Sequence, residues 1–270
     1  MKKIIQAIIP FWLGVKLRGA WQKFLGWFYK GNNYYCPLCQ HSFRKMLPAG
    51  IKNEIFEKYH IIGGGYRLNA LCPRCYSTDR DRLVFSYLKD CTHFLENQNK
   101  LLHIAPEGAL RAYLSNSLKI NYISGFKDPY AYKGYYYQQH ERHLDITHLP
   151  FENESFDVII CNHVLEHVSE DKTGMKELYR VLKQGGFAIL QVPYAPELKH
   201  TIEDPSIQDP KLRLRKFGQK DHVRIYGQDY LNRLQESGFS VELIYLYQKN
   251  PTYYDKIAIN AEEPLFIARK

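Results

Sequence analysis

Four of the six cysteines form two closely spaced pairs, a pattern suited to binding a metal ion. The pairs are Cys36-Pro-Leu-Cys39 and Cys72-Pro-Arg-Cys75, with 32 residues between them. Tetrahedral zinc prefers four soft ligands at about 2.3 Å, and each pair offers two thiolates from a single turn. We therefore expect a closed structural Zn²⁺ site, because buried or redox-active thiols alone would not require both pairs.

A second candidate group lies near residue 222, where a histidine and an arginine stand two positions apart. On an extended segment His222 and Arg224 point the same way, towards the mouth of a pocket. Arginine can hold a carboxylate or phosphate through two hydrogen bonds, and histidine can take a proton from a hydroxyl nucleophile. Tyr226 follows on the same segment, and Glu203 lies on a long preceding loop. We favour a substrate site; the alternative is that Arg224 pairs with Asp221 or Glu203 and orders the loop.

The chain beyond Asn99 contains the elements that would position such residues. Short apolar runs alternate with helical stretches, and the runs are apolar on both faces, as buried parallel strands are. The strand-like runs are 101–105, 120–124, 156–161 and 187–192, and the helical stretches include 109–115 and 172–182. This alternation predicts a right-handed, doubly wound α/β sheet. Residues 239–247 and 264–269 are strand-like with no helix between them, so we expect an antiparallel pair at the sheet edge.

The beginning of the chain predicts a basic amphipathic helix within residues 1–30. The apolar residues Leu17, Trp21, Phe24 and Phe28 recur at steps of four, three and four, which places them on one helical face. Gly19, Gln22, Gly26 and Lys30 fall on the opposite face. Such a helix can lie in a membrane interface, where Trp and Lys are favoured, or it can pack its Trp face on the enzyme body. Periodicity leaves both alternatives open.

Four segments follow from these patterns. We predict the amphipathic helix at 1–30, a zinc ribbon at 31–77, a linker helix at 78–98 and the α/β domain at 99–270. Thr78 with Asp81 three positions later indicates the start of the linker helix. Cys91 and Cys161 lie among apolar residues, so we expect both in the core.

The net charge of +9 is concentrated at the N-terminus. Residues 1–53 contain nine Lys or Arg and no acidic residue, which leaves 28 basic and 28 acidic side chains in the remainder. A nucleic-acid enzyme would be expected to extend positive charge around its active site, so nucleic acid is the less favoured partner. The sequence does not indicate an oligomeric state.

The sequence favours a cytoplasmic protein, with a peripheral position at the inner membrane face as the second alternative. There is no run of about 18 uninterrupted apolar residues, so we expect no transmembrane helix. The first 15 residues imitate a secretory signal, but Gln6 and Pro10 interrupt the apolar stretch and no small-residue cleavage site follows. Cysteines in C-x-x-C pairs in a chain of this size indicate a reducing compartment.

Residues 143–193 resemble the core of class I S-adenosylmethionine-dependent methyltransferases, in their small-molecule branch. The motifs that carry the resemblance are D-I-T-H-L-P-F, then F-D, L-E-H-V and R-V-L-K-Q-G-G, in that order. The resemblance implies a mostly parallel seven-stranded sheet with S-adenosylmethionine bound beyond the carboxyl ends of its strands. The run L-H-I-A-P-E at 102–107 resembles a bacterial subgroup with an N-terminal cysteine-knuckle zinc ribbon, often associated with surface-polysaccharide genes.

The resemblance also implies which residues contact the cofactor. Asp145 would accept a hydrogen bond from the adenine amino group, and Asn162 and His163 would line the methyl-donor end. The chain departs from the family where a glycine-rich turn is expected, and Asp128 would replace the acid that grips the ribose. The full expected set is His103, Ala105, Pro106, Glu107, Asp128, Asp145, Ile146, Asn162 and His163.

We expect O-methylation of a glycan or lipid-linked glycan at the cytoplasmic membrane face. If the acceptor is a hydroxyl, His222 is the first candidate base and His163 the second. Arg224, Tyr226, Glu203 and Glu166 are the candidate acceptor-binding residues. Two alternatives remain: an RNA methyltransferase that binds RNA through the ribbon and basic N-terminus, and a cofactor-binding scaffold without catalysis.

Overall fold

The N-terminal part of the chain is a long helix followed by a small four-stranded ribbon, seen in a computed structural model that describes residues 11–127 and 142–270. The elements are helix α1 (Phe11–Phe28), strands β1 (Lys30–Cys36), β2 (His41–Phe43) and β3 (Leu47–Ala49), helix α2 (Glu54–Lys58) and strand β4 (Arg67–Leu71). β1 pairs with β2 and β3 with β4, both antiparallel. The ribbon is joined to the rest of the molecule by two backbone hydrogen bonds between Ile62 and Tyr194, of 2.8 and 2.9 Å.

Helix α1 turns its aromatic face to solvent. Trp21 is 55% exposed and Trp27 70%, and Leu17, Phe24 and Phe28 are also exposed. The opposite face approaches the protein, since a Cβ atom added at Gly26 would lie 3.0 Å from Arg74. The alternative that the Trp face packs on the enzyme body is therefore wrong. Within the described residues, no helix combines the length and apolar character needed to span a membrane.

Helix α3 (Asp79–Asp90) links the ribbon to the main domain. It begins at the predicted cap, where the Thr78 side chain accepts from Asp81 N and the Asp81 carboxylate accepts from Thr78 N. The helix is shorter than the predicted segment 78–98, and Cys91, which follows it, is exposed rather than buried in the core. The fully buried Arg82 donates hydrogen bonds to backbone carbonyls of the ribbon and of the C-terminal region, so it fastens the two together.

The main domain is built on a seven-stranded sheet. Its further elements are β5 (Asn99–Ile104), α4 (Gly108–Ser115), β6 (Ile120–Phe126), β7 (Arg142–His143), β8 (Phe156–Cys161), a 3-10 turn (Leu165–His167), α5 (Asp171–Val181), β9 (Leu182–Ile189), β10 (Ile202–Glu203), α6 (Pro210–Phe217), β11 (Arg224–Ile225), α7 (Tyr230–Glu236), β12 (Ser240–Ile244), a second 3-10 turn (Leu246–Lys249), α8 (Pro251–Lys256) and β13 (Leu265–Arg269).

The strand order in this sheet is β12, β13, β9, β8, β5, β6, β7. β9, β8, β5, β6 and β7 are parallel to one another, and β13 runs antiparallel between β9 and β12. The predicted α/β fold with an antiparallel C-terminal pair is confirmed. The prediction of no helix between the last two strands is wrong: Asn250 caps α8, and Pro251 occupies its first turn, where a missing N–H costs nothing.

The central strands are buried on both faces because their side chains alternate between two hydrophobic clusters. Leu102, Ile159 and Cys161 contribute to one cluster, and Leu101 and Ile160 to the other. Cys161 is fully buried, so the prediction for this cysteine is confirmed. This burial on both faces places the central strands in the core. Because β5, β6 and β8 are parallel, their carboxyl ends lie at one edge of the sheet.

Candidate active site

A cavity of about 1860 Å³ lies at the carboxyl ends of β5, β6 and β8. Its floor includes Ala105 after β5, Lys127 after β6 and Asn162 after β8. The opposite wall comes from helix α1 and from the ribbon, including Gln22 and Cys75. β5 is the strand from which the chain winds to both sides of the sheet, and ligands of doubly wound sheets bind at this point.

The turn after β5 holds a carboxylate in a fixed position. Ala105 has a φ of 47°, a left-handed conformation that side chains seldom adopt, and it stands where the expected glycine-rich turn would be. Glu107, which is partly buried, accepts from His103 Nε2 at 2.8 Å and from Asn162 Nδ2 at 2.9 Å. His103 is fully buried, and its Nδ1 contacts the Tyr122 hydroxyl at 3.0 Å.

The electrostatics of Glu107 favour its ionised form. Burial acts to raise the pKa of this carboxyl, but the hydrogen bonds from His103 and Asn162 outweigh it and lower the pKa. Three residues of the predicted cofactor set, from two neighbouring strands, therefore form one network that borders the cavity. Pro106 is buried within the same turn.

The adenine-side prediction is met only in part. Ile146 lines the cavity, whereas the Asp145 carboxylate pairs with Lys127 at 2.8 Å and accepts from Thr147. Although burial acts to raise the pKa of Asp145, the Lys127 and Thr147 hydrogen bonds lower it to about 2. Asp128, the predicted ribose ligand, lies outside the described residues.

A carboxylate and two histidines meet beside the far end of this cavity; Glu166, His167 and His222 are called the carboxylate–histidine cluster below. Their ligating atoms lie within 4.8 Å of one another. Glu166 and His167 belong to the 3-10 turn after β8, and the backbone N–H of Val223 donates to Glu166 O at 2.9 Å, which brings His222 into place. His163, which precedes the turn, has a φ of 54° and lines the cavity together with His167.

The predicted roles of His222 and Glu166 need correction. His222 is 2% exposed and packs edge to face against His167, with ring centroids 4.8 Å apart, so it does not face the mouth of the cavity. Glu166 is 1% exposed and therefore does not present its carboxylate to an acceptor in the open cavity. The candidate residues selected from the sequence do not include His167, although it is the member of the cluster that lines the cavity.

Charge in this region is unevenly distributed. Burial and the nearby Arg80 lower the pKa of His163 to about 4, and burial lowers that of His222. Burial acts to raise the pKa of Glu166, yet the neighbouring histidines, His163 first, lower it to about 2. A buried carboxylate with a lowered pKa thus lies near two imidazoles, those of His163 and His222, whose pKa values are also lowered.

Arg224, Tyr226 and Glu203 form a structural network away from the cavity. Arg224 is 4% exposed, pairs with Glu203 at 2.9 Å and donates to the carbonyls of Leu165, Val168 and Ser169. Tyr226 is fully buried, and its hydroxyl donates to Asp171 at 2.7 Å. These contacts correct the prediction that the three residues bind substrate at a pocket mouth. They agree instead with the alternative in which Arg224 orders the loop.

The four predicted zinc ligands converge, and Cys36, Cys39, Cys72 and Cys75 are called the cysteine cluster below. The Sγ atoms of Cys36 and Cys75 lie 3.6 Å apart and those of Cys39 and Cys72 lie 3.8 Å apart. No disulfide involves them; all are free thiols. Four sulfurs placed tetrahedrally around zinc at about 2.3 Å would be separated by about 3.8 Å, so this donor set fits the ion.

Residues 114–190 match a protein family described as a methyltransferase domain. The match covers 77 of the 270 residues. The protein named "Uncharacterized methyltransferase YcgJ" from Bacillus subtilis (strain 168) is 37% identical over 76 residues, which are 28% of either chain. A demethylmenaquinone methyltransferase from Clavibacter sepedonicus is 44% identical over 48 residues, 18% of this chain and 20% of that protein. The chain thus spans less than a third of the length of these curated relatives.

Solved structures include an S-adenosylmethionine-dependent methyltransferase from Archaeoglobus fulgidus. It is 14% identical, and the match covers 70% of this chain and 94% of that chain with a TM-score of 0.45. The predicted S-adenosylmethionine-dependent methyltransferase domain is confirmed. The bacterial subgroup and the bound zinc stay predictions.

Several cavity residues had no signal in the sequence. Arg18 and Gln22 of α1, Tyr76 at the end of the ribbon and Arg80 of α3 border the cavity although they are distant along the chain from its floor. The available hint was the set of small residues on one face of α1, where Gly26 allows a close approach to Arg74.

Proposed function

We propose that the protein transfers a methyl group from S-adenosylmethionine to a hydroxyl of a glycan or lipid-linked glycan. The observation that carries the methyltransferase part is the Glu107 network at the switch point of a sheet whose residues 114–190 match a methyltransferase domain. The acceptor is a proposal that extends beyond that match.

The residues around the β5 turn suit the methyl donor. S-adenosylmethionine carries two cationic groups, the sulfonium and the amino-acid ammonium, and an ionised carboxylate next to them is favourable. Glu107 would supply that carboxylate, Asn162 and His103 would hold it in position, and Ile146 would contact the apolar part of the donor. When bound, the donor supplies the activated methyl group.

The transfer itself requires few protein groups. The acceptor oxygen attacks the methyl carbon, the carbon–sulfur bond breaks, and the hydroxyl proton leaves to a base. The protein mainly aligns the two partners and excludes water. Of the two predicted bases, His163 lines the cavity, while His222 reaches it only through His167.

Two observations support the proposed glycan acceptor: the volume of the cavity and the resemblance of one sequence run to a bacterial subgroup. Pockets for one small molecule commonly measure about 300–1000 Å³. The cavity here is larger, at about 1860 Å³, so it offers room for the donor and for a bulky acceptor. The L-H-I-A-P-E run resembles a subgroup associated with surface-polysaccharide genes.

Calorimetry with S-adenosylmethionine and S-adenosylhomocysteine tests the donor site. We expect wild-type protein to bind both, and Glu107→Gln to bind at least about tenfold more weakly, because a charge-assisted hydrogen bond contributes about 1.5–3 kcal/mol. Glu96→Gln, at an exposed position that does not line the cavity, is the matched control. Wild-type protein that binds neither compound would overturn the proposal and favour a non-catalytic scaffold.

The exposed aromatic face of α1 supports a peripheral membrane site near the acceptor. Trp21 and Trp27 project from a helix that also bears Lys16 and Lys23, a composition suited to the interface of anionic bilayers. In liposome sedimentation we expect Trp21→Ala/Trp27→Ala to lose most binding and Tyr66→Ala, an exposed aromatic in the ribbon, to keep it. Salt-sensitive, selective RNA binding in gel shifts, with no liposome binding, would instead favour the RNA methyltransferase.

The cysteine cluster is proposed to hold one structural Zn²⁺. All four donors are thiolates, which soft metal ions prefer, and Cys36 and Cys72 are fully buried in the core of the ribbon. Because Cys75 also borders the cavity, the ion would stabilise the cavity wall as well as the ribbon.

A further inference from the structure

The buried carboxylate of Glu166 has too few hydrogen-bond partners. The carboxylate is 1% exposed, and its Oε2 atom has no hydrogen-bond partner. The other oxygen lies 3.5 Å from His163 Nδ1 and 3.8 Å from His167 Nε2, and these distances exceed those of ordinary hydrogen bonds. Within residues 11–127 and 142–270, only these two histidines lie within ion-pair distance of it. A buried carboxylate with so little compensation is costly unless a ligand completes it.

The neighbouring imidazoles are oriented as metal ligands commonly are. His167 Nδ1 lies 3.2 Å from the backbone carbonyl of Asp221, which leaves Nε2 facing Glu166. The His222 ring packs edge to face against His167, with ring centroids 4.8 Å apart, which places it beside Glu166 in the cluster. Metal-bound histidines typically use one nitrogen for the ion and anchor the other on a carbonyl or carboxylate.

We propose that Glu166, His167 and His222 form a binding site for a divalent transition-metal ion at the acceptor end of the cavity. Ligands at about 2.0–2.2 Å from such an ion are separated by about 3.2–3.6 Å. The three groups already lie within 4.8 Å of one another, so side-chain movements of the order of 1 Å would close them on the ion. Two imidazoles and a carboxylate suit ions such as Mn²⁺, Fe²⁺ or Zn²⁺.

The position of the site indicates its use, and this step rests on the proposed methyl transfer. His167 and Asp221 line the cavity, so an ion with three protein ligands would keep an open position towards it. An acceptor hydroxyl bound there would become more acidic. Its proton would pass to the Asp221 carboxylate, which is 64% exposed and can release it to solvent, and the oxygen would then attack the methyl carbon as the carbon–sulfur bond breaks.

Manganese titration followed by electron paramagnetic resonance tests the site on full-length protein. Mn²⁺ prefers oxygen and nitrogen ligands, so it should leave zinc in the cysteine cluster undisturbed. We expect one bound Mn²⁺ per wild-type chain, and at least about tenfold weaker binding for Glu166→Gln and for His222→Gln. His93→Ala, at an exposed histidine, should bind as wild type does.

The outcomes separate this site from the proposed activity. Retained zinc and an unchanged Tm show that each variant is folded. If His222→Gln does not fold, the isosteric Glu166→Gln alone tests the site. Wild-type protein that takes up neither Mn²⁺ nor a second zinc, or variants that bind Mn²⁺ as tightly as wild type, would overturn the site. Mn²⁺ binding without methyl transfer would support the metal site and refute the proposed function. Methyl transfer that chelators do not affect would support the proposed function and refute the metal site.

Discussion

The cysteine cluster and the carboxylate–histidine cluster border the same cavity but differ in the number and spacing of the ligands that each offers to a metal ion. The first has four like donors, with sulfur separations of 3.6 and 3.8 Å that match a closed tetrahedral site. The second has one carboxylate and two imidazoles within 4.8 Å and a buried oxygen without a partner. Closed sites are typical of structural ions and open sites of catalytic ones, so the difference agrees with the structural ion proposed for the first cluster and the catalytic ion proposed for the second.

The supports of the two clusters differ as well. The cysteines sit on two local turns of the ribbon, whose buried core is small: Cys36, Phe43, Met46 and Cys72. Glu166, His167 and His222 are instead brought together by hydrogen bonds across the molecule, including those from Val223 N and Arg224 to the 3-10 turn. The ribbon should therefore depend on its ion for folding, and the second cluster on the β11 segment for its geometry.

Cys36→Ser should have the largest effect on stability. A core of this size cannot stabilise the ribbon alone, and binding of structural zinc contributes about 10 kcal/mol or more to folding in small domains. We expect loss of stoichiometric zinc by elemental analysis and a fall of Tm or unfolding of the ribbon. Cys91→Ser, at an exposed thiol, should change neither. A Cys36→Ser protein with full zinc content and unchanged Tm would remove the distinction drawn between the clusters.

Arg224→Met should rank second and should act on the other cluster. The change leaves the carbonyls of Leu165, Val168 and Ser169 without their buried donor, while Arg233 keeps Glu203 and Asp171 paired, so we expect a cost of about 1–3 kcal/mol. Because Arg224 also holds the 3-10 turn, we expect weaker Mn²⁺ binding with zinc retained, measured beside urea unfolding. Arg215→Met, at an exposed arginine of α6, is the control. An unchanged unfolding free energy with a raised KM for the acceptor would restore Arg224 as a substrate residue.

The sequence predicts one cluster well and the other poorly for a physical reason. Cys36 and Cys39, like Cys72 and Cys75, belong to short repeats whose spacing already fits the ion. The partner of Glu166 and His167 is His222, 55 residues beyond His167 in the chain, and only the folded β11 segment brings it near.

The sheet shows the same limit. Strand runs such as 156–161 are apolar on both faces and were predictable, because burial in a parallel sheet leaves that pattern. The burial of Arg224 was not predictable, since the same arginine could pair within the protein or hold a ligand. Local spacing and periodicity specify elements and short-range sites, whereas the direction of a charged side chain depends on tertiary partners.

Asp145→Asn should give the smallest effect and should leave both clusters intact. The folded-state pKa of Asp145 is about 2, below the ordinary value of about 3.9 for an unfolded chain. Stability from its bonds to Lys127 and Thr147 is therefore fully present above about pH 4 and is lost as pH falls towards 2. Because Lys127 is 70% exposed, we expect no more than about 1 kcal/mol near neutral pH.

The measurement is the difference in unfolding free energy between wild type and Asp145→Asn from pH 7 to pH 3. We expect a constant difference between pH 7 and pH 5 that shrinks below about pH 4. Protonation of the zinc thiolates destabilises both proteins in this range, so it cancels in the difference. Lys127→Met should reproduce the shape, because it removes the cation that the carboxylate pairs with. A difference that stays constant to pH 3, with Mn²⁺ and zinc binding intact, would show that Asp145 contributes through packing and not through its charge.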